Sequence, residues 1–426
     1  MTLPNETVQT YIQILKEELL SAMGCTEPIA IAYAASILRT TLGCEPTRIE
    51  AGFSGNIIKN VKSVIVPATG GMHGIEAAVA AGVVANRPDK RLEVLTTLTE
   101  ADVPKIAEFL GRCPITVSGL DTVCAFDLIL TGYSPAGEAK VHIRNYHTNV
   151  ILVEKNGEDH TSEYWEKNEG AKYTRSNRSL LNVKDIVTFA TEVDLTPVRA
   201  LLLEQIRMNM AIAEEGIRGK YGASIGKILY RNGEAPVRDR ARAYAAAGSD
   251  ARMSGCELPV CILSGSGNQG ITASVPVVIY AKEMGVSEEA MLRALLVSDL
   301  ITIHQKEEIG CLSAYCGAIS AGCGAGCGIA YLNGGRYYEI AHTLVNAVAI
   351  LSGTVCDGAK ASCAAKIAMA VEAGIMGYEM MRAGSQFYGG DGIITKGVEN
   401  TLKNIGKLAR NGMGETDKEI IRIMLQ

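Results

Sequence analysis

Gly310 to Lys366 opens G-C-L-S-A-Y-C-G-A-I-S-A-G-C-G-A-G-C-G, runs through a long apolar stretch, and closes G-T-V-C-D-G-A-K-A-S-C-A-A-K. Six of the chain's twelve cysteines lie here: Cys311, Cys316, Cys323, Cys327, Cys356 and Cys363. Almost every neighbour is Gly, Ala or Ser. Small residues let backbone and thiolates crowd around a bulky inorganic group, so the stretch reads as the seat of an iron–sulfur cluster. The competing reading is a tightly packed helical core whose free cysteines act as small hydrophobes.

Spacing alone does not choose the ligands. Cys316, Cys323 and Cys327 stand at i, i+7 and i+11, one face of a helix. An unbroken helix would spread them over about 16 Å, too far for one cube. The four glycines between Cys316 and Cys327 are expected as possible breaks. Cys356 and Cys363 flank a short segment containing Gly358, which a loop could fold toward one metal. The ferredoxin spacing C-x2-C-x2-C is absent, as is a paired C-x2-C zinc pattern. Cys311-x4-Cys316 with Cys323-x3-Cys327 is a looser zinc arrangement with a short gap between its halves.

Outward from this stretch, 426 residues suffice for two domains with a large core. A net charge of −5 without a basic patch argues against nucleic acid. The start, M-T-L-P-N-E-T-V-Q-T, lacks the charged and apolar regions of a signal peptide. Ile309–Gly335 is too weakly apolar, and Ile340–Cys356 too short, for a membrane span. A cytoplasmic protein is expected, in which cysteines are thiols or metal ligands.

Periodicity predicts a helix over Thr7–Leu20 and a second from Thr26, as N-cap, to about Thr41. R-I-E-A-G-F and K-S-V-I-V-P within residues 47–66 read as strands, Gly74–Ala85 as a helix, Leu92–Leu98 as a strand and Val103–Leu110 as a helix. Residues 114–155 read as a meander. Residues 156–182 read as a polar exposed linker, and from Val183 the pattern is helical. The expected class is α+β: an N-terminal α/β sandwich-like domain, 1–181, then a mainly α-helical domain, 182–426, carrying the cluster cysteines.

Cys25, in G-C-T-E-P, precedes a helix start, where the dipole lowers a thiol's pKa and attracts anions. It reads as a reactive thiolate or removable cluster ligand, against a plain buried cysteine. Gly265–Gly270 fits G-x-G-x-x-G, yet no second strand of a βαβ unit precedes it and Pro276 interrupts the helix after it. That loop, with Asn268 and Gln269, reads better as a cradle for a small carboxylate. So does Ser54–Asn60, where Lys59 could pair with that carboxylate. His142 and His147 have a zinc-compatible spacing but no upstream cysteine pair. G-x-S-x-G at Gly222–Gly226 follows no buried strand, so a nucleophile elbow is not expected.

The segments G-C-T-E-P-I-A, S-G-N-I-I-K-N, S-G-S-G-N-Q-G-I-T-A, I-G-C-L-S-A-Y-C-G, Y-L-N-G-G and C-D-G-A-K-A-S-C-A-x-K together resemble the L-cysteine desulfidase family, related to the iron–sulfur L-serine dehydratases. The resemblance spans nearly the whole chain. It implies a [4Fe–4S] cluster held by Cys316, Cys356 and Cys363, with Cys25 as the catalytic or fourth-ligand residue. Cys311, Cys323 and Cys327 become packing residues. Asn56, Lys59, Asn60, Asn268 and Gln269 become substrate-pocket residues. The serine dehydratases carry a His where this chain has Cys25, and can end in a capping cysteine where this one ends I-R-I-M-L-Q. The implied reaction is a β-elimination from L-cysteine giving sulfide, ammonia and pyruvate, by a carbon–sulfur lyase with Cys25 as base. L-Serine elimination by the same mechanism and a non-catalytic iron–sulfur or thiol redox sensor are the alternatives. The expected partner is a small amino acid, with neither nucleic acid nor membrane, and a homodimer is compatible with the sequence.

Overall fold

The computed structural model describes residues 3–168, 175–230, 235–310 and 312–425. The chain begins with α1 (Asn5–Glu18), β1 (Ser21–Met23) and α2 (Thr26–Leu42), then β2 (Arg48–Phe53), α3 (Gly55–Val61), α4 (Gly74–Ala85) and α5 (Val103–Arg112). Five strands follow: β3 (Ile115–Gly119), β4 (Asp127–Ser134), β5 (Gly137–Arg144), β6 (Val150–Lys155) and β7 (Glu158–Asp159). Then come α6 (Thr161–Lys167), α7 (Val183–Glu192), α8 (Thr196–Arg218), α9 (Ile225–Tyr230), α10 (Val237–Met253) and β8 (Pro259–Cys261). The remainder is helical: α11 (Gly267–Met284), α12 (Glu288–Ile309), α13 (Gly317–Leu332), α14 (Tyr337–Leu351), α15 (Ser362–Arg382), α16 (Val398–Lys407) and α17 (Gly414–Leu425).

The architecture is α+β, and its sheet is mixed. Strands run in the order β3-β2-β4-β5-β6-β7, with β2 parallel to β3 and every other pairing antiparallel. Helix α2 is buried on all sides from Thr26 to Leu38, as an all-apolar sequence demands. It fills the space between the sheet and α4. A Cβ on Gly132 of β4 would meet Leu38 at 2.8 Å.

Three sequence expectations change. Leu92–Leu98 is not a strand but part of a 3₁₀ segment, Pro88–Thr97, broken where Arg91 takes φ 47°. Its alternation arises because Leu92, Val94 and Leu95 turn inward. K-S-V-I-V-P, residues 62–67, forms no strand: it follows directly on α3, and only an isolated bridge, Ile65 to His73, lies within it. The 156–182 stretch contains β7 and α6, while residues 169–174 lie outside the described residues.

The N-terminal segment reaches across the chain. Strand β1 pairs antiparallel with β8, Ser21 opposite Cys261. The Tyr11 hydroxyl donates to the Leu180 carbonyl at 2.8 Å, and its ring packs edge-on against Phe189. The β1–β8 pairing carries the start of α2 to the helical layer.

Helix α13 runs unbroken through its glycines. They permit close approach instead of a break. A Cβ on Gly322 or Gly326 would lie 2.3 or 2.4 Å from carbonyl oxygens of α15, and one on Gly324 would lie 2.5 Å from a carbonyl of α12. Backbones therefore touch on both sides of α13. Among the described residues no helix is long and apolar enough to cross a membrane.

Candidate active site

Two cysteines forty residues apart meet through one isolated antiparallel bridge, Tyr315 to Val355. The Cys316 amide donates to the Thr354 carbonyl at 3.0 Å and the Cys356 amide to the Ala314 carbonyl at 2.6 Å. Cys316 and Cys356 thus lie diagonally on one face of the bridge, within side-chain reach. Gly358 then turns the chain at φ +96°, and a Cβ there would lie 2.6 Å from the Lys59 carbonyl. The turn brings Cys363, in the first turn of α15, back to the same wall. Cys363 packs with Cys25, Val64, Met253 and Ala359 in a small apolar cluster.

One cavity, about 820 Å³ including its open mouth, is lined by Cys25, Asn56, Lys59, Asn60, Asn268, Gln269, Cys316, Cys356 and Cys363. These are all nine residues singled out from the sequence, drawn from five separate segments. Cys323 and Cys327 are not among the lining residues; both are fully buried in the body of α13. Cys311 lies outside the described residues.

Helix starts converge on this cavity. Cys25 is the N-cap of α2, Ser266 of α11 and Cys316 of α13, and Cys363 sits in the first turn of α15. Unpaired N–H groups and the positive dipole ends favour anionic ligands. Thr26, expected as N-cap, is the first helical residue instead, and its hydroxyl donates to the Gly265 carbonyl at 2.8 Å. That bond ties α2 to the glycine loop. The loop belongs to no βαβ unit, since β8 pairs only with β1.

The floor is polar and incompletely satisfied. Asn56 Oδ1, Asn60 Oδ1, Asn268 Oδ1 and Gln269 Oε1 are buried acceptors without a partner, and His147 Nε2 is likewise unpaired. Asn60 is oriented by donating Nδ2 to Glu27 Oε1 at 2.9 Å, which leaves its oxygen free. Buried acceptors left open cost free energy. A ligand carrying N–H donors relieves that cost.

Charge divides the thiols. The hydrogen bond from Cys316 draws the Cys356 thiol down to about 6, helped by the nearby Lys59 and Lys366 ammonium groups and the Gly358 N–H, against burial. Cys316 moves the opposite way, raised by that bond to its partner and by burial. Burial also raises Cys363. Cys25 does not behave as its position at a helix start led us to expect: burial pushes it up to about 12, although Arg252 opposes the shift. In the metal-free chain Cys25 is a thiol at neutral pH. Lys59 is not free for a carboxylate either. Its ammonium is ion-paired with Asp417 of α17, with Cys356 O 3.5 Å away.

The sequence reading overlooked Glu27, His147, Arg252, Lys306 and Lys366, which also line the cavity. Glu27 lies inside G-C-T-E-P and was legible there. Lys366 closes the C-D-G-A-K-A-S-C-A-x-K segment, while Arg252 and Lys306 sit in no quoted motif. Arg252 is buried and donates Nε to the Gly24 carbonyl at 3.0 Å, next to Cys25.

Among the described residues no three His, Cys, Asp or Glu side chains stand close enough to chelate a single ion. Three thiols around a shared cavity, one drawn toward thiolate by neighbouring cations, match the donor chemistry of a wider polynuclear cluster.

Thiols, open acceptors and converging helix starts thus line one cavity. The family model described as serine dehydratase alpha chain matches residues 89–422. A UPF0597 protein of Desulfitobacterium hafniense is 55% identical over 419 residues, covering 98% of this chain and 96% of that one. UPF0597 proteins of Treponema denticola and Finegoldia magna are 43% and 45% identical, each matched over its whole length and over 100% and 98% of this chain. The chain belongs to the serine dehydratase alpha chain family.

Proposed function

We propose that this protein is an iron–sulfur-dependent lyase that eliminates sulfide from L-cysteine, leaving ammonia and pyruvate. The observation that supports it is the meeting of Cys316, Cys356 and Cys363 with four open amide oxygens on one cavity. Cys316, Cys356 and Cys363 would hold a [4Fe–4S] cluster, with Cys25 as a fourth thiol beside them. When bound, such a cluster with one iron not held by protein supplies a Lewis acid.

The chain's own groups do the rest. The open oxygens of Asn56, Asn60, Asn268 and Gln269 are the acceptors available to the three N–H groups of the substrate ammonium. Helix starts and Arg252 favour its carboxylate. Lys59, held by Asp417, steadies the Cys356 thiolate instead of touching substrate. Burial keeps water from the reacting carbons. The resulting aminoacrylate hydrolyses to pyruvate and ammonia.

L-Serine is the second reading, favoured by the family model. Cysteine is preferred because Cys25 stands where the serine enzymes carry a His. We also propose that the chain works as two units, 1–181 and 182–426, with the site in the seam. It would act in the cytoplasm on a small amino acid, without nucleic acid or membrane, and be able to form a homodimer.

The test is anaerobic reconstitution followed by sulfide and pyruvate assays with both amino acids. Pyruvate from cysteine faster than from serine is expected. Pyruvate from serine alone would select the second reading, and none from either would end the lyase assignment.

A further inference from the structure

Elimination needs a base for the α-proton, and Cys25 is packed against Cys363 among the candidate cluster thiols. The cavity wall offers another group. His147 is buried, and its Nε2 has no hydrogen-bond partner. Its ring packs on Phe126, centroids 4.6 Å apart.

The loop that carries it is held firmly. Asn145, at φ 70°, donates its amide to the Phe126 carbonyl at 2.8 Å. Asn149 closes the turn through Nδ2 to the Arg144 carbonyl at 2.8 Å. The β5–β6 hairpin therefore delivers one imidazole from the sheet layer into a site otherwise built largely of helix ends. His147 also lines a second, outer pocket together with Glu18, Arg175 and Glu307. His147 thus lies between the thiol-lined cavity and a second pocket that shares Gly265 and Lys306 with it.

Resting on the lyase reading above, we propose that His147 is the catalytic base, taking the substrate α-proton on Nε2. The imidazole lone pair accepts the proton from Cα. The Cα–H electron pair becomes the Cα=Cβ bond, and the Cβ–S bond breaks with its pair leaving as hydrosulfide. The products are aminoacrylate, hydrosulfide and a His147 imidazolium, which returns its proton to water in the outer pocket.

The electrostatics agree. Burial lowers the His147 pKa, Glu27 opposes this and Arg252 adds to it. Lys59 and Lys306 on the inner side, and Arg175 on the outer, are the other cations around it, with Glu18 and Glu307 opposite in sign. Burial therefore favours the neutral imidazole, the form competent as a base.

The experiment compares reconstituted full-length wild type with His147→Asn and His147→Gln. Turnover of L-cysteine should fall by about 10²–10⁴-fold, the usual loss for an acid–base group. Iron per chain and the Kd for L-alanine, which lacks a leaving group, should stay within about threefold, since neither involves proton transfer. Imidazole added to His147→Gly should restore part of the rate. Should the variants fail to fold, the wild-type pH profile decides: kcat/KM should fall only on the acid side, at a pH below that of an ordinary imidazole. Near-wild-type turnover in His147→Asn with iron retained would overturn the proposal. So would a rate that climbs through the alkaline range of a thiol. Wild type inactive on both amino acids would instead remove the lyase reading itself.

Discussion

Cys316 and Cys323 are seven residues apart in one segment, both are buried, and their surroundings could hardly differ more. Cys316 caps α13, lines the cavity and shares a hydrogen bond with Cys356. Cys323 and its neighbour Cys327 lie in the body of the helix, fully covered. Burial pushes Cys323 up to about 12. Around them the glycines bring helix backbones into contact, which leaves no room for anything but side chains. Burial alone makes a cysteine a small hydrophobe. A ligand needs burial together with an adjoining space and positive charge.

The largest expected contrast is chemical. In the metal-free protein Cys356, with its pKa near 6, should alkylate readily at pH 7, its rate falling as pH drops through about 6. Cys323 ionises only to the extent of about 10⁻⁵ at that pH and should stay unmodified. Peptide mapping after iodoacetamide reads both. Equal labelling of the two would break the comparison.

Next come the substitutions. Serine at Cys316, Cys356 or Cys363 should remove the visible absorption of the reconstituted protein. Turnover should fall by at least the roughly 10²–10³-fold that one preorganised electrostatic contact supplies.

Gly358→Ala sharpens the role of the turn. It meets both a positive φ and the Lys59 carbonyl, and should cost about 1–3 kcal/mol and lower iron content. Gly353→Ala has φ +89° with open space around it. It should show only the strain, about 1 kcal/mol, with iron content unchanged. Denaturant melts and iron assays separate the two.

Smallest is Cys323→Ala, which should keep the cluster and cost about 1 kcal/mol, typical of a modest core deletion. Loss of iron in that variant would return Cys323 to the ligand set.

Much of this was legible before any coordinates. The β2 strand Arg48–Phe53 and a helix over about Gly74–Ala85 were read from local pattern, and both are present. The 16 Å objection to a cube on one helix was sound, and the unbroken α13 upholds it. The reading failed where a short segment could satisfy two patterns. Residues 55–61 are too brief for helical periodicity to show, and the inward turns within Pro88–Thr97 mimic strand alternation. His147 drew notice only for its spacing from His142, and nothing local to the hairpin indicated that it meets a cavity built from distant segments.

By itself the sequence determined the local facts: where helices begin, which residues are small enough for backbones to touch, and which cysteines one helix could not bring together. These depend on neighbours a few positions away, through N–H groups, side-chain volume and helical rise. Only the tertiary structure decided that Cys316 meets Cys356 through a single bridge, that Lys59 is claimed by Asp417, and that His147 faces the cavity. Those meetings span tens to hundreds of residues. They are set by the packing of whole layers against one another, which no short stretch of sequence encodes.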